Sequence, residues 1–184
     1  MPQSETEMFY QLYFLPPGVA DAELARDARK TIQSMLFAAS GDRGDPTAFP
    51  KIYMVNRGGG FLDRLPNPDR LPPWLTEPDI DHYTAAFETT GFTGGLNWYR
   101  AQDISWELLA PFAGLEVKVP ALYMIGDRDV VMSMLRIEPI RLNLIKFVPQ
   151  IRDLIVLPGC GHWTQQERPQ EVNAAMIAFL ASLD

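Results

Sequence analysis

The chain has 184 residues, of which 47% are hydrophobic and 21% are charged, and its formal net charge is −7. This composition is that of a globular domain, and the sequence has no basic stripe and no run of Lys or Arg of the kind that indicates nucleic-acid binding. No apolar run reaches the roughly 18 residues of a membrane-spanning helix. The N-terminal MPQSETEMF lacks the basic and apolar regions of a signal peptide. We therefore expect neither a nucleic-acid partner nor membrane insertion.

Cysteine occurs once, at Cys160. A single cysteine allows no internal disulfide and no cysteine-based metal framework, and it makes a reducing cytoplasm the default location. We expect Cys160 to be a small packing residue beside Gly159 and Gly161 rather than a reactive thiol.

The first half of the chain has a helical pattern with an irregular middle. Residues 19–39 are predicted to form one helix, whose apolar positions are Leu24, Ala28, Ile32, Met35 and Leu36. Residues 40–75 are rich in turn-forming strings such as NRGGG and LPNPDR. No segment before residue 115 has the pattern of a strand.

A second helix is marked by its ends. Thr76 and Asp79 resemble a capping box, and Gly91 is a suitable stop. Ile80, Tyr83 and Phe87 form the apolar face between them. A further helix is predicted from Leu96 to about Phe112, so residues 1–114 are expected to be a mostly helical domain.

The pattern changes after Lys118. VPALYMIG (residues 119–126) is a short, continuously apolar run, typical of a strand that is buried on both faces, and RDLIVLPG (residues 152–159) is predicted to be a second apolar strand. Residues 132–148 are predicted to form a helix that Pro139 breaks. A last helix runs from Pro169 to Leu183, and its buried stripe is predicted to comprise Val172, Met176, Phe179, Leu180 and Leu183.

Residues 115–184 therefore describe two parallel strands joined by a crossover and followed by a covering helix. Parallel sheets normally have several strands, and two strands alone leave two unpaired edges. We infer that the chain holds the C-terminal part of a larger α/β fold whose earlier strands lie elsewhere.

Polar side chains follow both predicted strands. GDRDVV offers Asp127 and Asp129, and GCGHW offers His162. Because the carboxyl ends of parallel strands meet at one edge, an aspartate there can accept the Nδ1 proton of His162 and stabilise its cation. Spacing leaves the choice between the aspartates open. An acid followed by a histidine is also the order of the α/β-hydrolase triad.

A nucleophile for this pair is not evident. Ser40-Gly41-Asp42-Arg43-Gly44 has the letters of a nucleophile elbow, but it follows an amphipathic helix instead of a strand. The other histidine, His82, lies in DIDHY on a polar helix, where a structural role is expected.

Four motifs resemble the soluble epoxide hydrolases of the α/β-hydrolase fold. FYQLYFLPPGVADAEL (residues 9–24) and GFTGGLNWYR (residues 91–100) resemble the two cap motifs, while GDRD and GCGHWTQQERPQEVN resemble the acid and histidine motifs. The likeness covers nearly the whole chain from about residue 8. It implies a helical cap domain followed by the last two parallel strands and helices of the core.

The resemblance also implies a mechanism without metal or cofactor. Tyr10 and Tyr99 would hold the epoxide oxygen, with Tyr13 the alternative to Tyr10 in the first motif. A nucleophilic aspartate would form an ester, and His162, oriented by Asp129, would activate the water that hydrolyses it to a vicinal diol. Trp98 and Trp163 are assigned to the substrate pocket or to the core, with core packing favoured for each.

The oxyanion loop and the nucleophile of this family have no counterpart in the chain. We therefore expect an epoxide hydrolase fragment, inactive by itself, whose partner is the missing N-terminal half or another protomer. Two alternatives stay open: a dehalogenase-like hydrolase that forms an aspartyl ester without tyrosine donors, and a non-catalytic half-domain that binds a partner chain.

Overall fold

The computed structural model describes residues 3–43 and 51–183, which separate into two units. Within the described residues, the first unit contains 3–38 and 51–111, and the second contains 39–43 and 112–183.

The first unit contains most of the helices predicted in the first half of the chain. Its elements are β1 (Glu7–Phe9), α1 (Tyr10–Phe14), α2 (Val19–Ala25), α3 (Ala28–Ala39), β2 (Met54–Asn56), α4 (Glu77–Thr90), α5 (Thr93–Arg100) and α6 (Gln102–Leu109). Short 3-10 helices cover Lys51–Tyr53, Phe61–Arg64 and Ala110–Phe112.

The single helix predicted over residues 19–39 is two helices. Asp27 lies between them, and its carboxylate accepts the backbone N–H of Lys30 at 2.9 Å. This is the contact of an N-terminal cap, so the side chain starts a new helix where the periodicity alone continues. On the predicted apolar face, Leu24, Ala28 and Ile32 are buried, whereas Met35 and Leu36 are half-buried.

The prediction that no strand precedes residue 115 is wrong. β1 and β2 form an antiparallel pair in which Glu7 is opposite Asn56 and Phe9 is opposite Met54. Each strand has only three residues. A pattern that alternates every second residue needs a longer run to be visible, which is why sequence periodicity missed this pair.

The capping box of α4 is confirmed. The Asp79 carboxylate accepts the Thr76 N–H at 2.9 Å, and the Thr76 hydroxyl accepts the Asp79 N–H at 3.3 Å. On the predicted apolar face, Ile80 is fully buried, whereas Tyr83 is exposed. The helix predicted over residues 96–112 begins earlier, at Thr93, and breaks at Ala101 between α5 and α6.

The second unit has the predicted parallel strands, β3 (Ala121–Gly126) and β4 (Ile151–Leu157), paired from Leu122 with Asp153 to Gly126 with Leu157. The fold class is thus α/β. Buried Leu157, Cys160 and Val172 form a core cluster against Met124 and Ile155.

The crossover between these strands is broken at a different residue from the one predicted. It comprises α7 (Val130–Leu135) and α8 (Ile137–Phe147). The break lies at Arg136, which has a φ of 58°. Pro139 sits in the first turn of α8, where no intrahelical hydrogen bond requires its missing N–H.

The chain ends with α9 (Thr164–Glu167) and α10 (Pro169–Ala181), and Pro169 is the first residue of α10 as predicted. The predicted buried stripe of α10 is mostly wrong. Val172 is buried, but Met176, Leu180 and Leu183 are exposed. Helical periodicity identifies the apolar face of a helix, but burial also requires another element to cover that face.

Candidate active site

Two loops at the carboxyl ends of β3 and β4 bring Asp129 and His162 together. Asp129 follows β3 and precedes α7, and its carboxylate Oδ1 accepts the N–H of Val131 at 2.6 Å. Its other oxygen, Oδ2, lies 3.0 Å from Nδ1 of His162 in the loop after β4. The acid is therefore held by its own helix while it contacts the imidazole.

This geometry distinguishes the two aspartates that spacing left open. Asp129 is buried, with 7% of its side chain exposed, whereas Asp127 lies on the surface. The backbone N–H of Asp127 donates to Leu157 O and that of Asp129 to Gly126 O, which shapes the turn after β3. The turn points the second aspartate, not the first, at His162.

The His162 side chain is 45% exposed, so one side of the ring is accessible. The hydrogen bond with Asp129 raises the pKa of His162 above its ordinary value, burial partly opposes this, and the charges of Asp129 and Glu167 add to it. When Nδ1–H donates to Asp129, Nε2 keeps its lone pair and can act as a base.

We expect Asp129→Asn to lower the pKa of His162 towards about 6.5, the value of an isolated histidine. The carboxylate stabilises the imidazolium, and the amide does not, so the variant loses its proton at lower pH. A proton-detected NMR titration of the 184-residue chain measures this directly because His82 is the only other histidine. A His162 titration unchanged by the substitution would contradict the pairing.

The same coupling affects stability. A pKa raised by folding adds stability below the unfolded-state pKa of about 6.5, and this contribution disappears as pH rises through the folded-state pKa. The free energy of unfolding contributed by the pair is therefore largest at mildly acidic pH.

The His162 loop is packed against the segment that follows α3. A Cβ added to Gly161 would lie 2.3 Å from the nitrogen of Gly41, and one added to Gly126 would lie 2.2 Å from the oxygen of Cys160. These distances leave no room for a side chain, so the backbone segments can approach only because both residues are glycine.

Glu167 joins these segments and was not predicted from the sequence. Its side chain is buried, and Oε2 accepts the N–H groups of Gly41 and Gly161, both at 2.8 Å. Oε1 accepts the N–H of Trp163 at 3.1 Å. A buried glutamate cannot be distinguished from a surface one by spacing, although its position six residues after Gly161 in the histidine motif was a usable signal.

Cys160 is fully buried in the predicted packing position. Burial raises the pKa of its thiol to about 12, so the thiolate needed for nucleophilic attack is scarce at neutral pH.

In the first unit, α1 and α5 bring Tyr10 and Tyr99 together. Their ring centroids are 5.8 Å apart in an edge-to-face arrangement. Burial raises the pKa of Tyr99, and the charge interaction and hydrogen bond with Tyr10 add to this effect. Tyr99 therefore remains a protonated phenol, able to donate a hydrogen bond, well above neutral pH.

Tyr13, the alternative to Tyr10, has a different environment. Burial, followed by a hydrogen bond to Glu23, raises the pKa of Tyr13 to about 12. Its hydroxyl is thus engaged with a carboxylate, whereas Tyr10 is the partner of Tyr99. The ring of Tyr10 also lies 5.6 Å from that of Tyr53, whose hydroxyl donates to the Ala38 carbonyl at 3.3 Å.

Arg100, the last residue of the NWYR motif, ties these helices together. Its guanidinium donates to the Phe14 carbonyl at 3.1 Å and forms a largely buried ion pair with Asp21. The hydrogen bond from Arg100 lowers the pKa of Asp21, with a further contribution from Thr93.

The two predicted pocket tryptophans differ in exposure. Trp98 is 83% exposed, so the core packing predicted for it is wrong within the described chain. Trp163 is half-buried and packs edge-to-face on His162 with 5.1 Å between ring centroids.

His82 and the Ser40–Gly44 string, for which no catalytic role was predicted, are not hydrogen-bonded to Asp129 or His162 within the described residues. His82 is exposed on α4. Ser40 follows α3 instead of a strand, which agrees with the rejection of an elbow there, and Gly44 lies outside the described residues.

Residues 3–43 and 51–183 contain no group of three or more His, Cys, Asp or Glu side chains that could hold a metal ion. Nor does any helix in these ranges combine the length and apolarity needed to cross a membrane.

Comparison with known proteins assigns this arrangement to a family. The chain is 41% identical over 176 residues to epoxide hydrolase A of Mycobacterium tuberculosis, covering 96% of the chain and 53% of that protein. It is 39% identical over 171 residues to the mouse bifunctional epoxide hydrolase 2, covering 93% of the chain and 29% of that protein. The chain belongs to the epoxide hydrolase family.

Solved structures of epoxide hydrolases agree. An enzyme from an endophytic Streptomyces matches with a TM-score of 0.91 at 36% identity, over 98% of this chain and 54% of its own. Epoxide hydrolase A of Mycobacterium thermoresistibile matches with a TM-score of 0.86 at 46% identity, again over 98% and 54%. No protein-family model matches the chain.

These matches confirm the predicted fold: the C-terminal part of an α/β-hydrolase core with its cap. The chain spans about half the length of epoxide hydrolase A of Mycobacterium tuberculosis and of the Streptomyces enzyme.

Proposed function

We propose that this chain supplies the proton donors, the acid and the base of an epoxide hydrolase that converts an epoxide and water to a vicinal diol. The observation that carries the proposal is the 3.0 Å contact between Nδ1 of His162 and Oδ2 of Asp129 in a member of the epoxide hydrolase family. The nucleophilic aspartate is supplied from outside these 184 residues.

In the first step, the nucleophilic carboxylate attacks one epoxide carbon and the bond from that carbon to the ring oxygen breaks. Tyr10 and Tyr99 hold that oxygen by hydrogen bonds, and one phenol transfers its proton as the alkoxide forms. The products are a hydroxyalkyl ester and a phenolate, and the phenolate recovers its proton later in the cycle. The protonated state of Tyr99 supports this role.

In the second step, His162 removes a proton from water through Nε2, and the resulting hydroxide attacks the ester carbonyl carbon. The ester bond breaks, the departing alkoxide takes the hydroxyl proton of the tetrahedral intermediate and leaves as the diol, and the carboxylate is restored. The imidazolium proton returns to the phenolate left by the first step. Asp129 stabilises the imidazolium during the attack. Atoms balance without a redox partner or a metal.

The remaining assignments belong to the same proposal. Residues 1–114 act as the cap and residues 115–184 as the C-terminal segment of the core. Trp98 and Trp163 contact the substrate, for which the exposed indole of Trp98 is the supporting feature. The partner is the N-terminal half of the fold, and the single buried cysteine supports a cytoplasmic location.

The proposal is tested with a hybrid enzyme in which this chain replaces the matching segment of the Mycobacterium tuberculosis epoxide hydrolase A. We expect the hybrid to convert styrene oxide to its diol, whereas the 184-residue chain alone does not. Chromatographic measurement of the diol, with the parent enzyme as reference, provides the readout.

Labelled water separates the ester mechanism from direct attack by water. In a single turnover in oxygen-labelled water, the first diol should carry unlabelled oxygen from the carboxylate, and the label should enter the protein. A folded hybrid that forms no diol, or that labels the diol at once, would reject the proposal.

A further inference from the structure

The backbone N–H groups of Gly161, His162 and Trp163 each donate a hydrogen bond. Gly161 N–H donates to Oε2 of Glu167 at 2.8 Å, and Trp163 N–H donates to Oε1 of the same carboxylate at 3.1 Å. His162 N–H donates to the carbonyl of Ala39 at 2.9 Å. The loop is therefore held on both sides of His162 by one carboxylate.

The Glu167 carboxylate is buried, and burying a charge is energetically unfavourable. Glu167 is 6% exposed, and a buried negative charge is tolerated only when hydrogen bonds replace its water shell. Besides the two loop N–H groups, Oε2 accepts the N–H of Gly41 at 2.8 Å. Three charge-assisted hydrogen bonds thus converge on one side chain.

The acid loop rests on the same backbone. The Arg128 N–H donates to the Cys160 carbonyl at 2.9 Å, and its guanidinium donates to the Gly41 carbonyl at 2.9 Å. Gly41 therefore donates a hydrogen bond from its N–H to Glu167 and accepts one at its carbonyl from Arg128. Both members of the Asp129–His162 pair are tied to this one residue.

We propose that Glu167 is a positioning residue that keeps the His162 imidazole within hydrogen-bond reach of Asp129. Its consequence for turnover rests on the proposed epoxide hydrolase function, but its consequence for the imidazole does not. The 3.0 Å contact depends on the placement of the loop, and a displacement of about 1 Å at a reacting group can cost about a hundredfold in rate.

Glu167→Gln is the most informative substitution because it keeps the size of the side chain. The amide has one accepting oxygen, and its NH2 group must face at least one of the backbone N–H donors. We expect NMR of the 184-residue chain to show a weakened or lost Nδ1–H signal of His162 hydrogen-bonded to Asp129. The pKa of His162 should move towards about 6.5.

Two variants serve as matched controls. Gln166→Ala changes an exposed neighbour on the same short helix and should leave both His162 signals unchanged. Ile140→Ala removes buried apolar volume from α8, so it should destabilise the second unit without changing the His162 pKa. The second control separates positioning from a general loss of stability.

In the hybrid enzyme, Glu167→Gln should lower kcat by about 10- to 100-fold and leave KM within about threefold. Unchanged His162 signals in a folded Glu167→Gln chain would overturn the positioning role. So would failure of Glu167 variants to fold at all, since the carboxylate would then be a general structural support. Altered His162 signals with an inactive unsubstituted hybrid would support positioning and reject the epoxide hydrolase proposal instead.

Discussion

Replacing His162 by glutamine in the hybrid enzyme is expected to stop turnover after ring opening, so that the aspartyl ester accumulates. Nε2 of His162 is the proposed base for the water that attacks this ester, and glutamine cannot accept a proton at neutral pH. General bases contribute about 10²–10⁴-fold, so steady-state diol formation should fall by that factor. Ring opening needs no base and should continue once per active site.

Intact-mass spectrometry checks this result, because the trapped protein should gain the mass of one epoxide. His82→Gln is the matched control, since it removes the other histidine of the chain from an exposed position on α4. That variant should retain diol formation within about twofold, as exposed substitutions away from a site usually do. Undiminished turnover by the His162 variant would show that another group is the base.

Removing both cap hydroxyls should block the earlier step. In the hybrid enzyme, Tyr10→Phe combined with Tyr99→Phe is expected to lower the rate of ring opening by about 10²–10⁴-fold. The developing alkoxide then has no acid to protonate it and no hydrogen bond to stabilise it. Each single variant should lose less, because the remaining phenol still donates.

The measurement is ester formation in the His162→Gln background, where the first step is observed alone. Tyr13→Phe is the control, because this hydroxyl is hydrogen-bonded to Glu23 and is not part of the proposed pair. Ester formation should keep its rate in the control and slow by about 10²–10⁴-fold in the double variant. Epoxide opening retained by the double variant would favour a dehalogenase-like hydrolase, which forms its ester without tyrosine donors.

The pH dependence follows from the same groups. Burial keeps Tyr99 protonated at neutral and moderately alkaline pH, so its ionisation does not limit activity there. His162 acts as a base only when it is unprotonated, and Asp129 raises its pKa. The acid limb of kcat therefore reports His162, and Asp129→Asn should move that limb to lower pH while reducing the plateau.

The parts of the fold that were predictable depend on neighbours along the chain. The Thr76–Asp79 capping box and the Pro169 helix start involve residues within one turn of each other. β3 is a continuous apolar run and β4 ends in one, LIVL, so their strand character is visible locally. Active-site residues of α/β proteins lie beyond the carboxyl ends of the parallel strands. It was therefore predictable that His162 and the two aspartates would lie near one another.

Other features needed partners far away in the chain. β1 and β2 are too short to show alternation, and they exist as strands because each satisfies the other's backbone hydrogen bonds. The sequence shows that Trp98 and several side chains of α10 are apolar residues on helices. Whether they are exposed depends on which other elements cover them. The left-handed residue at Arg136, which breaks the crossover, has no glycine to mark it.

By itself, the sequence determined the family, the two strands with their helices, and the residue types of an acid–base pair, because motifs and local hydrogen bonds are written in adjacent positions. The tertiary structure showed what spacing left open, that Asp129 rather than Asp127 contacts His162, and what no motif indicated, that Glu167 accepts the N–H of Gly41, 126 residues earlier. These choices are set by turn geometry and burial, since a carboxylate's role depends on which N–H groups and charges surround it after folding.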